Sequence, residues 1–222
     1  MNRLLRRISL ALHKTPPSKQ LFADISDYQG NFNAEKYKKS GHVIVAIKAG
    51  GGLGTEAGGS THNHRAEKAH NHKLSVVHYW FARPEEDKPQ AQAEAFWNSV
   101  KNVFDKNHDY LAIDLEVGNA KTTGKFYREF HNRLLAISGH DAVLYTYISY
   151  LNEGGDTFKT DSGEHRVWVA DYDGKYAFPK LPSWTTTWAK QYTDSQKFAG
   201  IGKCDGDFLK ENVVEHIQNG WK

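Results

Sequence analysis

From residue 21 onward, short apolar runs typical of β-strands alternate with longer stretches typical of helices. Strands are expected at 21–25, 42–49, 74–81, 110–117, 142–148, 166–170 and 186–192. Helices are expected at 62–71, 88–107 and 122–138, each between two strands. After about residue 140 the connections shorten and read as loops. This alternation is the pattern of an α/β protein with a parallel sheet or a closed barrel.

The 222-residue chain contains no linker rich in Pro, Gly or Ser between the strand-like runs, so a single domain is expected over residues 21–222. Residues 1–20 form a basic N-terminal extension that ends near two prolines. Its apolar run, Ile8 to Leu12, is too short for a convincing secretory signal. We expect a poorly ordered or loosely docked extension, with a short basic amphipathic helix as the alternative.

Charge and cysteine content exclude several classes of protein. A formal charge of +3 is too mild for the basic stripe of a nucleic-acid binder, although it favours approach to an anionic surface. No apolar run approaches the roughly 18 residues of a membrane span. The single cysteine, Cys204, excludes an intrachain disulfide and is expected to be a small buried residue rather than a nucleophile.

The strongest chemical signal is a strand-like run, Leu111 to Val117, that carries Asp114 and Glu116 two residues apart. Strand alternation places both acids on one face, with Cα atoms about 6.5–7 Å apart, and turns the apolar residues between them toward the helices. Acids on a semi-buried face are costly unless they are partnered or functional. The alternative is an edge strand with both acids in water.

Paired acids perform general acid/base catalysis when their surroundings push their pKa values apart. Further acids lie near the first strand and in the last third of the chain, at Asp24, Asp171, Asp205 and Asp207. If the chain closes into a barrel, acids at the C-terminal ends of its strands meet at one mouth. The spacing alone leaves that convergence open.

Seven short motifs follow one another in a recognisable order. They are Asp24-x-Ser26-x-x-Gln29-Gly30, Tyr79-Trp80-Phe81-Ala82-Arg83-Pro84, Asp114-x-Glu116, Tyr145-Thr146, Trp168-x-Ala170-Asp171-Tyr172, Gln191-Tyr192-Thr193 and a final Asp205. Together they resemble glycoside hydrolase family 25, over about residues 21–210. Members of this family are lysozymes that cut the β-1,4 bond between N-acetylmuramic acid and N-acetylglucosamine in peptidoglycan.

The resemblance implies a single TIM-like barrel of eight strands with fewer than eight helices, a modified β/α barrel. It implies that Glu116 is the proton donor and that Asp114 assists the substrate's acetamido group or stabilises the charged intermediate. Asp24 and Asp205 would complete the acidic mouth. Substrate-assisted and covalent routes both stay open, and either proceeds with retention.

The resemblance also implies a sugar-binding cleft, although each residue assigned to it could instead be core packing. The residues concerned are Tyr79, Tyr145, Trp168, Asp171, Tyr172, Gln191 and Tyr192. Trp80 stands where many members carry His, which predicts a ring contact in place of a hydrogen bond at a subsite. His78 is expected on the same face as Trp80.

The expected partner is the glycan strand of peptidoglycan, with neither nucleic acid binding nor stable membrane insertion. The expected setting is phage-mediated host lysis, with the enzyme in the host cytoplasm before its release to the wall. One alternative is a virion-associated or extracellular enzyme, in which the N-terminal extension docks on virion proteins. The other is a non-catalytic glycan-binding protein on the same barrel.

No metal or other cofactor is expected. The pairs His62-x-His64 and His70-x-His72 have no acid or cysteine at ligand spacing, so they are interpreted as a solvated basic face of a helix. The glycine-rich stretch 49–60 lacks the Lys-Ser/Thr ending of a phosphate loop and is interpreted as a flexible rim loop. No Gly-x-Ser-x-Gly elbow indicates a serine nucleophile.

Overall fold

A computed structural model describes residues 16–53, 59–161 and 163–220. Eight strands close into one barrel in sequence order. They are β1 (Leu21–Ile25), β2 (Ile44–Gly51), β3 (Ser75–Phe81), β4 (Tyr110–Asp114), β5 (Ala142–Tyr147), β6 (Arg166–Ala170), β7 (Thr186–Phe198) and β8 (Gly202–Leu209). The predicted fold class, a single α/β barrel of eight strands, is confirmed. The predicted N-terminal extension falls largely on residues 1–15, outside the described residues.

The last strand distinguishes this barrel from an all-parallel one. Strands β1 to β7 pair in parallel, whereas β8 runs antiparallel to both β7 and β1. The residues of β8 alternate between an outer apolar cluster, which holds Cys204 and Phe208, and the barrel side that carries Asp205 and Asp207. Because acids occupy its inner face, β8 lacks the apolar run by which the other seven strands were predicted.

The described residues form six α-helices. They are α1 (Ala34–Lys39), α2 (Gly59–Asn71), α3 (Pro89–Val100), α4 (Ala120–Ser138), α5 (Ile148–Gly154) and α6 (Glu211–Gly220). The sequence predicted α2, α3 and α4. The expectation that the connections after residue 140 are loops is wrong at α5, and α6 follows the last strand. The predicted helix 88–107 is too long, because α3 ends at Val100 and turns fill most of the remaining stretch.

Helix α4 shows how local sequence sets an element. The side chain of Asn119 accepts a hydrogen bond from the Lys121 amide at the N-terminus, and Gly139 ends the helix in a left-handed conformation with φ of 74°. Between these caps, residues such as Phe126 and Phe130 face the barrel. The helix therefore packs into the apolar cluster on the outer face of β4 and β5.

Aromatic rings fill the barrel interior as well as the space beneath the helices. Phe22 and Trp168 meet inside the barrel with ring centroids 5.4 Å apart, and both side chains are fully buried. Cys204 is buried in the outer cluster, as predicted. Among the residues that the structure describes, no helix is long and apolar enough to cross a membrane.

Tyr37, on α1, bridges the first two strands from outside the barrel. Its hydroxyl accepts a hydrogen bond from the Ala23 amide at 2.9 Å and donates one to the Ile44 carbonyl at 2.9 Å. The ring is fully buried and stacks on His42. Since Ala23 precedes Asp24, this bridge fixes the strand that carries one of the predicted catalytic acids.

We expect Tyr37→Phe to lower the free energy of unfolding by about 1–3 kcal/mol, because a buried amide and a buried carbonyl both lose their partner. Urea unfolding followed by circular dichroism measures the change. Tyr28→Phe is the control, since the Tyr28 side chain is 94% exposed. Equal stability of the two variants would contradict the bridging role.

Candidate active site

The C-terminal ends of the parallel strands open into one cavity of about 340 Å³. Its lining comprises Asp24, Ser26, Tyr28, Lys48, Tyr79, Phe81, Arg83, Asp114, Glu116, Tyr145 and Asp205. The structure thus brings together all four acids predicted to be catalytic. It also adds two cationic side chains that had not been assigned to the site.

Asp24 and Asp205 lie directly opposite each other on the neighbouring strands β1 and β8. Side chains at such positions have Cβ atoms about 4.5–5.5 Å apart. Burial raises the pKa of Asp24 to about 8, and the neighbouring carboxylate of Asp205 adds to the rise. The hydroxyl of Tyr79 and the ammonium of Lys48 oppose it. Asp24 therefore holds its proton at neutral pH.

Asp114 is the last residue of β4, and Glu116 lies just beyond the strand. Both line the cavity, while Ile113 and Leu115 pack into the outer apolar cluster. The predicted alternation is therefore confirmed, although the strand is shorter than 110–117. Burial raises the pKa of the Glu116 carboxyl, and Asp205 raises it further, against the opposing charge of Lys48.

The cationic side chains of the cavity wall are Lys48 and Arg83. The Lys48 ammonium lies 5.2 Å, and the Arg83 guanidinium 4.9 Å, from the centre of the Phe81 ring. Arg83 also forms an ion pair with Glu86 at 3.0 Å. Lys48 was missed by the sequence interpretation. A lysine at an inward position of the apolar run Ile44–Gly51 was the available signal.

Gln191 connects the predicted sugar-binding tyrosines to Asp24. Its carbonyl oxygen accepts hydrogen bonds from the hydroxyls of Tyr145 at 2.8 Å and Tyr172 at 2.5 Å. Its amide donates to the Oδ2 atom of Asp24 at 3.4 Å. Tyr145 and Tyr79 line the cavity, and Tyr172 is 55% exposed beside it. Gln191 is buried, so it orients these groups from beneath the cavity.

Of the seven residues expected in the sugar-binding cleft, two line the cavity, Tyr79 and Tyr145. Gln191 and Tyr172 connect to it through the hydroxyl of Tyr145, and the other three lie elsewhere. Trp168 is 1% exposed inside the barrel, where it packs edge-on against Tyr145 with centroids 4.7 Å apart. Tyr192 lies on the outer face of β7 and contacts Tyr176. Asp171 forms an ion pair with Lys190 at 3.2 Å. Tyr192 lies outside because of the alternation of the strand, and Asp171 is held by the buried Lys190. Short sequence motifs reveal neither feature.

Trp80 also departs from expectation, because its side chain faces away from the cavity. Its ring packs against Phe96 of α3, with centroids 5.7 Å apart, in the cluster outside the barrel. His78 faces outward as well and is fully buried. The predicted ring contact at a substrate subsite is therefore wrong: residues 78 and 80 share a face, as expected, but it is the face opposite to Tyr79.

Asp207 is a buried acid that was not among the predicted catalytic residues. It lies on β8 opposite Phe22 and accepts a hydrogen bond from the indole nitrogen of Trp168 at 2.8 Å. Burial and the nearby carboxyl of Asp24 raise the pKa of Asp207 well above its usual range. Asp207 thus lies below the cavity as a desolvated carboxyl group whose charged form is disfavoured.

Lys190 holds the segment that carries Tyr172. Its side chain, fully buried on the outside of β7, donates to the Asp173 carboxylate at 2.6 Å and to the carbonyls of Lys175 and Ala177 at 3.2 and 3.1 Å. Segment 171–177 is thereby tied to the barrel through one ammonium group. Tyr172, within it, donates a hydrogen bond to Gln191 beneath the cavity.

A pair of acids at the end of a strand in a barrel mouth, with a raised carboxyl pKa at Glu116, suits the hydrolysis of glycosidic bonds. The chain belongs to glycosyl hydrolases family 25, whose sequence profile matches residues 23–201. The family resemblance seen in the motifs is thus confirmed.

Known proteins with related sequences are lysozymes. Lysozyme M1 of Streptomyces globisporus is 26% identical over 192 residues, which are 80% of this chain and 63% of that protein. The autolytic lysozyme of Clostridium acetobutylicum is 27% identical over 195 residues, 86% of this chain and 56% of that protein. The chain thus spans about three fifths of the length of these relatives.

The fold also matches a solved structure, the bacterial lysozyme of Streptomyces coelicolor. The TM-score is 0.74 at 22% sequence identity, and the match covers 90% of this chain and 98% of the other. At that identity the likeness concerns the fold.

We expect Asp24→Asn to stabilise the protein more at pH 8 than at pH 4. Between the unfolded pKa of 3.8 and the folded value of about 8, the folded state keeps a proton that the unfolded chain has released, so stability falls as pH rises. Asparagine has no such proton. The stabilisation should grow by at least about 1.4 kcal/mol between the two pH values, the equivalent of one pKa unit.

Chemical unfolding of wild type and Asp24→Asn at both pH values measures this difference. Asp27→Asn, an exposed neighbour, is the matched control and should show no such trend. A pH-independent difference between wild type and Asp24→Asn would contradict the raised pKa of Asp24.

We expect Lys190→Met to destabilise the protein by about 3 kcal/mol, because two acids and two carbonyls lose a buried cation. Thermal melting measures the effect. Lys175→Met, in which an exposed lysine is replaced, should change stability by less than about 0.5 kcal/mol. Similar melting of both variants would show that Lys190 does not hold the segment.

Proposed function

We propose that this chain is a muramidase that hydrolyses the β-1,4 bond between N-acetylmuramic acid and N-acetylglucosamine in peptidoglycan. The observation that carries the proposal is the convergence of Asp24, Asp114, Glu116 and Asp205 on one cavity. Membership of family 25 and the lysozyme names of two relatives support it. A non-catalytic glycan-binding protein would have no need for four crowded carboxyl groups, which cost stability.

Glu116 is the proposed proton donor. It lies at the cavity wall, where burial and Asp205 raise the pKa of its carboxyl. A carboxyl with a raised pKa stays protonated nearer to neutral pH and can transfer its proton to the oxygen of the departing sugar. Lys48 opposes the rise and, in this proposal, keeps the Glu116 proton labile enough to be donated.

Asp114 is the proposed partner of Glu116. It follows the inward-facing Ala112 on β4, two residues before Glu116, and lines the same cavity. As bond cleavage leaves positive charge on the muramic acid ring, an ionised Asp114 stabilises that charge directly or through the acetamido group of the same sugar. Both routes return the β-configured product, so we propose hydrolysis with retention.

The remaining lining residues hold the sugars. Tyr79 and Tyr145 present rings at the cavity wall, and the exposed Tyr172 is linked to Tyr145 through Gln191. Sugar rings bind well to aromatic faces, and hydroxyls of the sugars find donors and acceptors in the tyrosine hydroxyls. Gln191 and Trp168 position these tyrosines from below.

Host lysis by a phage and wall opening by a virion stay predictions from the sequence.

We expect Glu116→Gln to lower kcat on peptidoglycan by about 10²–10⁴-fold, because the amide cannot donate the required proton. Release of reducing ends from purified cell walls measures kcat. Glu215→Gln, which replaces an exposed acid on α6, is the matched control and should retain wild-type activity. Thermal melting of both variants separates catalytic loss from unfolding.

Two product measurements complete this test. Muramic acid at the new reducing ends identifies a muramidase, whereas N-acetylglucosamine there would contradict the proposed bond. NMR of the first product formed should show the β-anomer, and initial α-anomer would contradict retention. Wild-type activity in Glu116→Gln would remove Glu116 from the role of proton donor.

A further inference from the structure

A second cluster of titratable side chains lies outside the barrel, between α2, β3 and the start of β4. The Nε2 atom of His78 is 3.0 Å from Oδ2 of Asp109, and the Nε2 atom of His70 is 2.9 Å from the same oxygen. The other ring nitrogen of His78 is 2.8 Å from Nε2 of His62. Asp109 and His78 are fully buried at their side chains, and His70 is 20% exposed.

This arrangement overturns the interpretation of the histidines as a solvated basic face. His62 is 1% exposed, and only His64 of that pair faces solvent. The acid that appeared to be missing comes from Asp109, 39 residues after His70. Motif spacing could not reveal it, because the barrel fold brings α2 and the start of β4 together.

The carboxylate of Asp109 is held in place by the backbone. The amide of Val76 donates to Oδ1 at 2.8 Å, and the amide of Asp105 donates to Oδ2 at 2.8 Å. A carboxylate oriented in this way presents its remaining lone pairs to the two imidazoles. The result is a preformed set of two ring nitrogens and one carboxylate oxygen, the donor types that zinc prefers.

We propose that His70, His78 and Asp109 form a binding site for a zinc-like divalent cation. Their ligand atoms all lie within 4.8 Å of one another. A tetrahedral zinc ion with bonds of about 2.0–2.2 Å holds its ligand atoms about 3.3–3.6 Å apart. The hydrogen-bonded distances of 2.9 and 3.0 Å therefore need to widen by only a few tenths of an ångström.

His62 completes the site as an outer partner. When His78 coordinates through Nε2, its proton resides on Nδ1, which faces Nε2 of His62 at 2.8 Å. His62 in turn directs Nδ1 toward the side-chain oxygen of Asn63 at 3.0 Å. This chain fixes the tautomer and the orientation of the buried ligand, the role that such partners have in zinc sites.

A surface cavity gives the ion a route and a fourth ligand. His70 and Asp105 line this cavity of about 430 Å³, together with Glu67. Water from it would occupy the fourth position of a site with three protein ligands. The cluster lies near the N-terminal ends of β3 and β4, far from the catalytic mouth. A bound ion would join α2 to the barrel there, so it would stabilise the folded protein rather than take part in catalysis.

Calorimetric titration of the chelator-treated protein with zinc chloride tests the proposal. We expect one tight site in wild type, an affinity at least about 100-fold weaker in His70→Ala, and wild-type affinity in His64→Ala. His64 is the matched control, since it is an exposed histidine on the same helix. Absence of a tight site in wild type, or equal affinity in both variants, would overturn the proposal.

Thermal melting supplies a second readout. A hundredfold excess of zinc over its Kd should raise Tm by roughly 5–10 °C in wild type and in His64→Ala. His70→Ala should show no such rise, and its melting in chelator reports whether it folds. An equal rise in His70→Ala would place the zinc elsewhere, for instance among the acids at the mouth, and would overturn the assignment.

Discussion

The antiparallel pairing of β8 with β1 sets Asp24 against Asp205, and the chemistry of the barrel mouth depends on this contact. Two carboxylates on facing positions cannot both ionise at low cost, so one of them retains a proton. The same Asp205 also raises the pKa of the Glu116 carboxyl. A strand inserted in the opposite direction thus supplies the carboxylate that raises the pKa values of Asp24 and Glu116.

The groups around these acids are mainly neutral donors. Tyr79 lies beside Asp24, and Gln191 reaches Asp24 while it binds the hydroxyls of Tyr145 and Tyr172. Lys48 opposes the raised pKa values of Asp24 and Glu116 without cancelling them. Buried aromatic rings lie beneath the acids, and the indole of Trp168 donates a hydrogen bond to Asp207 there. This packing keeps water away from the base of the site. Desolvation and repulsion between like charges therefore both raise the pKa values of Asp24 and Glu116.

Much of the fold could be predicted from local pattern. Strands β1 and β6 have the predicted bounds, because apolar residues dominate both runs. The pair Asp114 and Glu116 was identified from alternation alone. Strand β8 escaped prediction because Asp205 and Asp207 occupy inward positions where apolar residues normally indicate a strand. The family motifs, rather than the periodicity, brought Asp205 into the site.

Other features depend on contacts that spacing does not encode. Lys190 is buried because segment 171–177 folds over it, and that contact turns Asp171 away from the cavity. Tyr192 and Trp80 lie on outward positions, which a motif cannot distinguish from inward ones without the register of the strand. Asp109 reaches His70 and His78 only after the barrel has closed.

Crowding and desolvation at the barrel mouth raise the pKa values of its carboxyl groups, and Asp24 keeps its proton at neutral pH. Carbon-13 NMR titration of the aspartate and glutamate carboxyl carbons tests it most directly. We expect the Asp24 resonance to titrate near pH 8 and the Glu116 resonance to titrate above its usual pKa of 4.5. Titration of both carboxyl groups at or below pH 4.5 would contradict it.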